Sequence, residues 1–205
     1  MKRLHAIMAF GAALAVAGGA GATDLVLRAG VHDVVPKSDN NPTVNVGSNA
    51  TLSLGGSWYL TDKVALDLLG AIPFKHDVNL NGGGKVATVK HLPPTLGVQY
   101  HFNRGGGFDP YVGVGVNYTL FFDKQTTGAL AGTKLTLENS FGPAVQLGGD
   151  IQLGNDWLLG IDIRYANIKG HAKVLNASGG LVLDVGDVKV DPMIYGITIG
   201  KRFSL

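Results

Sequence analysis

The chain has 205 residues, with 17 Lys and Arg against 15 Asp and Glu, 31 glycines and no cysteine. Residues 1–22 hold Lys2 and Arg3 and no acidic side chain, so the remainder carries 15 basic against 15 acidic residues and no net charge. That balance, without any basic run, argues against a nucleic-acid partner, and the lack of cysteine excludes disulfides as a source of stability.

Residues 1–22 read as a cleaved secretory signal peptide. Lys2 and Arg3 precede the apolar run "AIMAFGAALAVA" (6–17), and the small residues Ala20-Gly21-Ala22 precede Thr23. The run is shorter than the roughly 20 apolar residues a spanning helix needs. Residues 23–205 form one β-domain. Period-two alternation predicts eight strands, near 24–35, 49–61, 64–75, 86–102, 110–122, 140–153, 157–170 and 181–203. All are as long as, or longer than, the ~9–11 tilted residues that cross a bilayer. The connections "TDK" (61–63), "NRGGGFD" (103–109) and "GND" (154–156) are short, while those near 36–48, 76–85, 123–139 and 171–180 are longer. This alternation predicts an all-β, eight-stranded antiparallel up-and-down transmembrane barrel with short periplasmic turns and longer extracellular loops.

One parity of each strand is apolar, as in Val112, Val114, Val116 and Tyr118, or Leu159, Ile161 and Ile163. The other is small or polar, as in Gly113, Gly115, Asn117 and Thr119, or Gly160, Asp162 and Arg164. A water-soluble lipocalin-like barrel would turn the apolar parity inward. However, the small-polar parity is too rich in glycine and too poor in Lys and Glu to serve as a solvated surface. Only 16% of the chain is charged, against roughly 25% in soluble domains. Apolar-out is therefore the expected orientation. Aromatics near the short turns (Trp58, Tyr59, Tyr100, Phe102, Phe108, Tyr111, Trp157, Phe203) and toward the long loops (Phe74, Phe121, Phe122, Phe141, Tyr165, Tyr195) are expected to form the two interfacial girdles.

The stretches "ATVKHLPPTLGVQYHF" (87–102), "PYVGVGVNYTLFFD" (110–123), "VALDLLGAIPFKH" (64–76) and "DPMIYGITIGKRF" (191–203) resemble the outer-membrane protein W (OmpW) family, over nearly all of residues 24–203. The resemblance implies a monomeric barrel in the outer membrane of a Gram-negative bacterium. It also implies uptake of small hydrophobic molecules, with exit sideways through the wall. The lateral gate then falls on Pro93 and Pro94, whose missing N–H groups interrupt the wall; a bulge that merely bends the strand is the alternative. Alignment to the family carries a lumen barrier onto Leu69 and Arg164. Leu69 keeps the family's aliphatic character, whereas Arg164 stands where an aromatic is usual. With Asp67 and Asp162 on its parity, Arg164 is expected to form an ion-pair plug, the alternative being plain lumen packing. Phe203 is the expected assembly signal for the barrel insertion machinery, although Ser204 and Leu205 follow it and Lys201 replaces a common aromatic.

No enzyme or cofactor site is expected. His91 and His101 share the inward parity but stand ten residues apart, about 33 Å along a strand. His76 and His91 approach across a hairpin, where a solvated pair is expected and too few donors converge for a metal. "GGGK" (82–85) and "GVG" (113–115) lack nucleotide-loop context. A barrel-embedded lipid-modifying enzyme is an alternative that needs a histidine level with a serine, and neither Ser53 nor Ser57 has an obvious one. A structural or adhesive barrel is another. The apolar composition of "TTGALAGTKLTL" (126–137) and "VLNASGGLVLDV" (174–185) suits an external funnel instead. The expected partners are outer-membrane lipid, lipopolysaccharide and small hydrophobic solutes.

Overall fold

The computed structural model describes residues 24–37 and 41–205. The expected signal peptide lies outside the described residues. Fourteen strands follow in order: β1 (Asp24–Val35), β2 (Val44–Val46), β3 (Asn49–Tyr59), β4 (Val64–Ala71), β5 (Phe74–Leu80), β6 (Lys85–Leu92), β7 (Thr95–His101), β8 (Phe108–Thr126), β9 (Lys134–Leu137), β10 (Ser140–Gly154), β11 (Trp157–Ala166), β12 (Lys169–Leu175), β13 (Leu181–Lys189) and β14 (Met193–Ser204). Eight of them close a barrel in the order β1-β3-β4-β7-β8-β10-β11-β14, with β14 returning to β1 and every pair antiparallel.

The remaining strands rise above this barrel on the long-loop side. β2, β5 and β6 pair with one another and with the upper end of β8. β9, β12 and β13 form a separate three-stranded sheet. Four strands expected as continuous are therefore broken in two, at 72–73, 93–94, 167–168 and 190–192. Three of these breaks contain a proline, which cannot extend a ladder. The segment expected as a loop at 76–85 is mostly strand, and the one at 123–139 is strand at 123–126 and 134–137, because their Val, Leu and Thr residues find sheet partners above the barrel.

The two faces separate as the alternation requires. Val114 is 67% exposed and Ile197 64%, while Gln99 and Asn117 are buried. Small residues inside are a steric necessity. A Cβ on Gly115 would collide with the Leu96 carbonyl of the neighbouring strand, and one on Gly30 with that of Ile197. The 154–156 turn places Asn155 and Asp156 at φ of 49° and 64°, a left-handed pair that suits a tight hairpin.

Several girdle residues differ from expectation. Trp58 is buried, and Tyr59 and Tyr111 are buried in the lumen, whereas Tyr100, Phe102, Phe108 and Trp157 remain outside. Phe74 and Phe121 also point inward. For Phe74 the cause is local: Ile72 and Pro73 are both exposed, so one residue is absorbed at the break and the parity of β5 reverses relative to β4. Lys75 and Lys90, opposite each other in the β5–β6 ladder, consequently face outward and mark this pair as standing above the hydrocarbon.

Candidate functional site

The break at Pro93 and Pro94 faces a second one. The β4–β7 ladder ends at Leu69 opposite Thr95, and the β5–β6 ladder begins at Phe74 opposite His91. Between them, Gly70 to Pro73 have no ladder partner among Leu92 to Pro94. Pro73, a third proline without an N–H, stands on the facing strand; sequence reasoning had passed over it. Toward β8 the wall stays sealed. The Asn117 Nδ2 donates to the Pro93 carbonyl at 3.0 Å and lies 3.2 Å from that of Pro94, which also accepts the Tyr118 amide at 3.0 Å. Asn117 is itself held by the Thr119 hydroxyl at 2.7 Å. The proline carbonyls are thus satisfied from one side, and the interruption is confined to the other.

Directly above, between the two extensions, lies an apolar cavity of about 70 Å³. Its lining runs from Val44 and Val78 through Val86 and Val89 to Leu135, Leu137, Ala172, Val174 and Val188. Leu135 and Leu137 belong to the first apolar segment expected as a funnel, and Val174 and Val185 to the second. Among the described residues, the only polar side chains lining it are His76 and His91. They do approach each other, with rings parallel within 8° and centroids 4.8 Å apart, but they are buried rather than solvated. Phe74 and Phe121 pack on His91 at centroid distances of 5.4 and 5.8 Å and join Val34, Ile168, Val190 and Ile194 in an apolar layer.

Below that layer the lumen is polar. The Arg164 Nη1 donates to Asp67 at 2.9 Å and its Nε to Asp162 at 2.6 Å. Leu69 occupies the next inward position of β4 above Asp67 and lies outside the ion network. The network has further members that the alternation does not single out. His32 contacts Asp162 at 3.0 Å and Ser53 at 2.7 Å, so Ser53 does have a histidine at its level. Their ladder partners are Thr51 for His32 and Gly30 for Ser53; the contact is diagonal, and strand positions alone do not reveal it. Gln146 adds a bond to Asp162 at 2.9 Å. Lower still, Arg28 forms two bonds of 2.6 Å with Asp150, and His101 meets Asp109 at 2.8 Å. Phe203 is half-exposed on β14 opposite Leu25 of β1, and the Lys201 ammonium lies 5.5 Å over the Trp157 ring.

The OmpW family model matches residues 20–203. The chain is 36% identical over 195 residues to outer membrane protein W of Vibrio cholerae, covering 88% of each chain. It is 32% identical over 161 residues to outer membrane protein AlkL of Ectopseudomonas oleovorans, covering 77% of this chain and 67% of that protein. The crystal structure of the outer membrane protein OprG from Pseudomonas aeruginosa superposes with a TM-score of 0.79 at 34% identity, covering 90% of this chain and 98% of that one. The closed barrel, its apolar exterior and these likenesses together make the chain a member of the OmpW family, a β-barrel of the Gram-negative outer membrane.

Proposed function

We propose that this barrel is a passive, non-catalytic route for small hydrophobic molecules, which enter the apolar cavity from outside and leave sideways between β4–β5 and β6–β7, beside Pro93 and Pro94. The observation that carries the reading is the position of the ladder interruption: immediately beneath the apolar cavity and above a charged, packed lumen. An apolar solute gains nothing from entering the Asp67–Arg164–Asp162 layer, where it would displace hydrogen bonds to buried charges. The outer leaflet offers it hydrocarbon at the same height as the gap. Leu69 lines the floor of that exit, and the ion layer is the barrier to further descent. The cavity also favours transport over a structural or adhesive role, since neither role needs an apolar-lined space beside an interruption of the wall.

The Ser53–His32–Asp162 contact is read as packing. Asp162 is shared with Arg164 and Gln146, and neither Ser53 nor His32 lines the apolar cavity. The working unit in this reading is a monomer in contact with lipid and lipopolysaccharide, delivered by the barrel assembly machinery through Phe203. The test is uptake of a labelled alkane or aromatic solute by cells or proteoliposomes carrying the Pro93→Val, Pro94→Val double variant. Folding should persist and uptake should fall several-fold. Uptake equal to that of the unaltered barrel would remove the lateral exit.

A further inference from the structure

The two histidines in the cavity are unexplained by a route for pure hydrocarbon. His76 and His91 are 2% and 3% exposed, and the Nε2 atom of each is buried without a hydrogen-bond partner. A buried polar atom left unpaired is costly, so such atoms are rare unless something else satisfies them. The roles of the His76 nitrogens follow from geometry. Its Nδ1 contacts the Gly47 carbonyl oxygen, which can only accept, so Nδ1 carries the proton. In the neutral ring Nε2 is then an acceptor, and only a ligand that donates can satisfy it. His91 has no such constraint among the described residues, and its Nε2 serves as donor or acceptor according to tautomer.

We propose that the cavity selects apolar molecules bearing one hydroxyl group, such as medium-chain alkanols or phenols, with His76 Nε2 accepting the hydroxyl proton. The inference rests on the uptake reading above and adds a chemical class to it. A hydroxyl donates its one proton to His76 and keeps lone pairs that accept from His91 in its Nε2–H tautomer, so one group can satisfy both nitrogens. A carboxylate fits poorly, because the lining holds no cationic partner for it and burial of an unpaired charge is expensive. An ether or ester brings acceptors only and leaves the His76 nitrogen unsatisfied.

The test compares 1-octanol with heptyl methyl ether, an isomer without a donor, binding to the full barrel in lipid nanodiscs. Dissociation constants are read with the imidazole nitrogens followed by NMR. Octanol should bind roughly tenfold tighter than the ether, the value of about one hydrogen bond. Octanol, but not the ether, should shift the His76 Nε2 resonance. In His76→Phe the ratio of octanol to ether affinity should fall to about one. Equal binding of the two isomers to the unaltered barrel, or a preference that survives His76→Phe, would overturn the hydroxyl inference and leave the apolar route standing. Failure of both isomers to bind would take down the route and this inference together. If His76→Phe does not fold, the nitrogen shift in the unaltered barrel decides: its absence with octanol counts against the assignment.

Discussion

Arg164 illustrates how a single residue sets the character of the lumen. Its guanidinium holds two buried carboxylates, Asp67 and Asp162, at 2.9 and 2.6 Å. Removing it takes the cationic partner from Asp67 and leaves Asp162 only His32 and Gln146, a change of about 3–5 kcal/mol in comparable buried pairs. Arg164→Ala should therefore lower the stability of the folded barrel in denaturant titrations. If the pair plugs the lumen, the variant should also raise ion leak in planar bilayers. Unchanged leak would reduce Arg164 to a packing residue. The parity of Asp67, Asp162 and Arg164 is readable from period-two alternation, so this trio was visible in the sequence. His32 was not: its contact with Ser53 crosses a ladder diagonally, and the contact with Asp162 joins residues 130 positions apart. Asn117 escaped for a different reason. A small polar residue on an inward face looks like ordinary lumen filler until the carbonyls it serves are located.

At the scale of elements, the hairpin β5–β6 is sensitive to pH through its two histidines. Burial pulls the His76 imidazole below 6.5, and burial together with the neighbouring His76 pulls that of His91 down to about 3. Both rings bind a proton better once the hairpin opens. Its stability is therefore complete above about pH 6.5 and is lost as the pH falls toward 3. Amide exchange in β5 and β6, corrected for intrinsic rates, should accelerate between about pH 7 and about pH 4. A His76→Phe, His91→Phe double variant should lose most of that acceleration; an unchanged dependence would place the sensitivity elsewhere. The same hairpin shows where alternation misleads. Residues 64–75 look like one strand with Phe74 on its lipid face, yet the extra residue at Ile72–Pro73 turns Phe74 into the lumen. Period-two counting fails across a break because the pleat is reset there. Pro73 alone was weak notice of a break; the Pro93-Pro94 pair was clear notice.

For the whole molecule, the decisive property is an inverted surface. Leu52, Val114, Leu147 and Ile197 each expose more than half of their area, spread around the wall, while charged side chains pair within. The purified chain should need detergent or lipid to remain dispersed. It should also run as a compact species on unheated SDS gels and shift on boiling. Recovery as a stable, detergent-free aqueous monomer would overturn the orientation. Strand number, closure and orientation were legible because wall residues obey one period over long runs. The cavity was legible only in composition, through the greasy stretches at 126–137 and 174–185, since its walls come from segments that meet far apart in sequence.

The four breaks have a further consequence. The hairpins β5–β6 and β12–β13 each leave the wall and return to it at neighbouring points, at 72–73 and 93–94 for one and at 167–168 and 190–192 for the other. The lipid-facing alternation of the wall thus does not constrain these two hairpins, and their inward residues answer to the cavity rather than to the membrane.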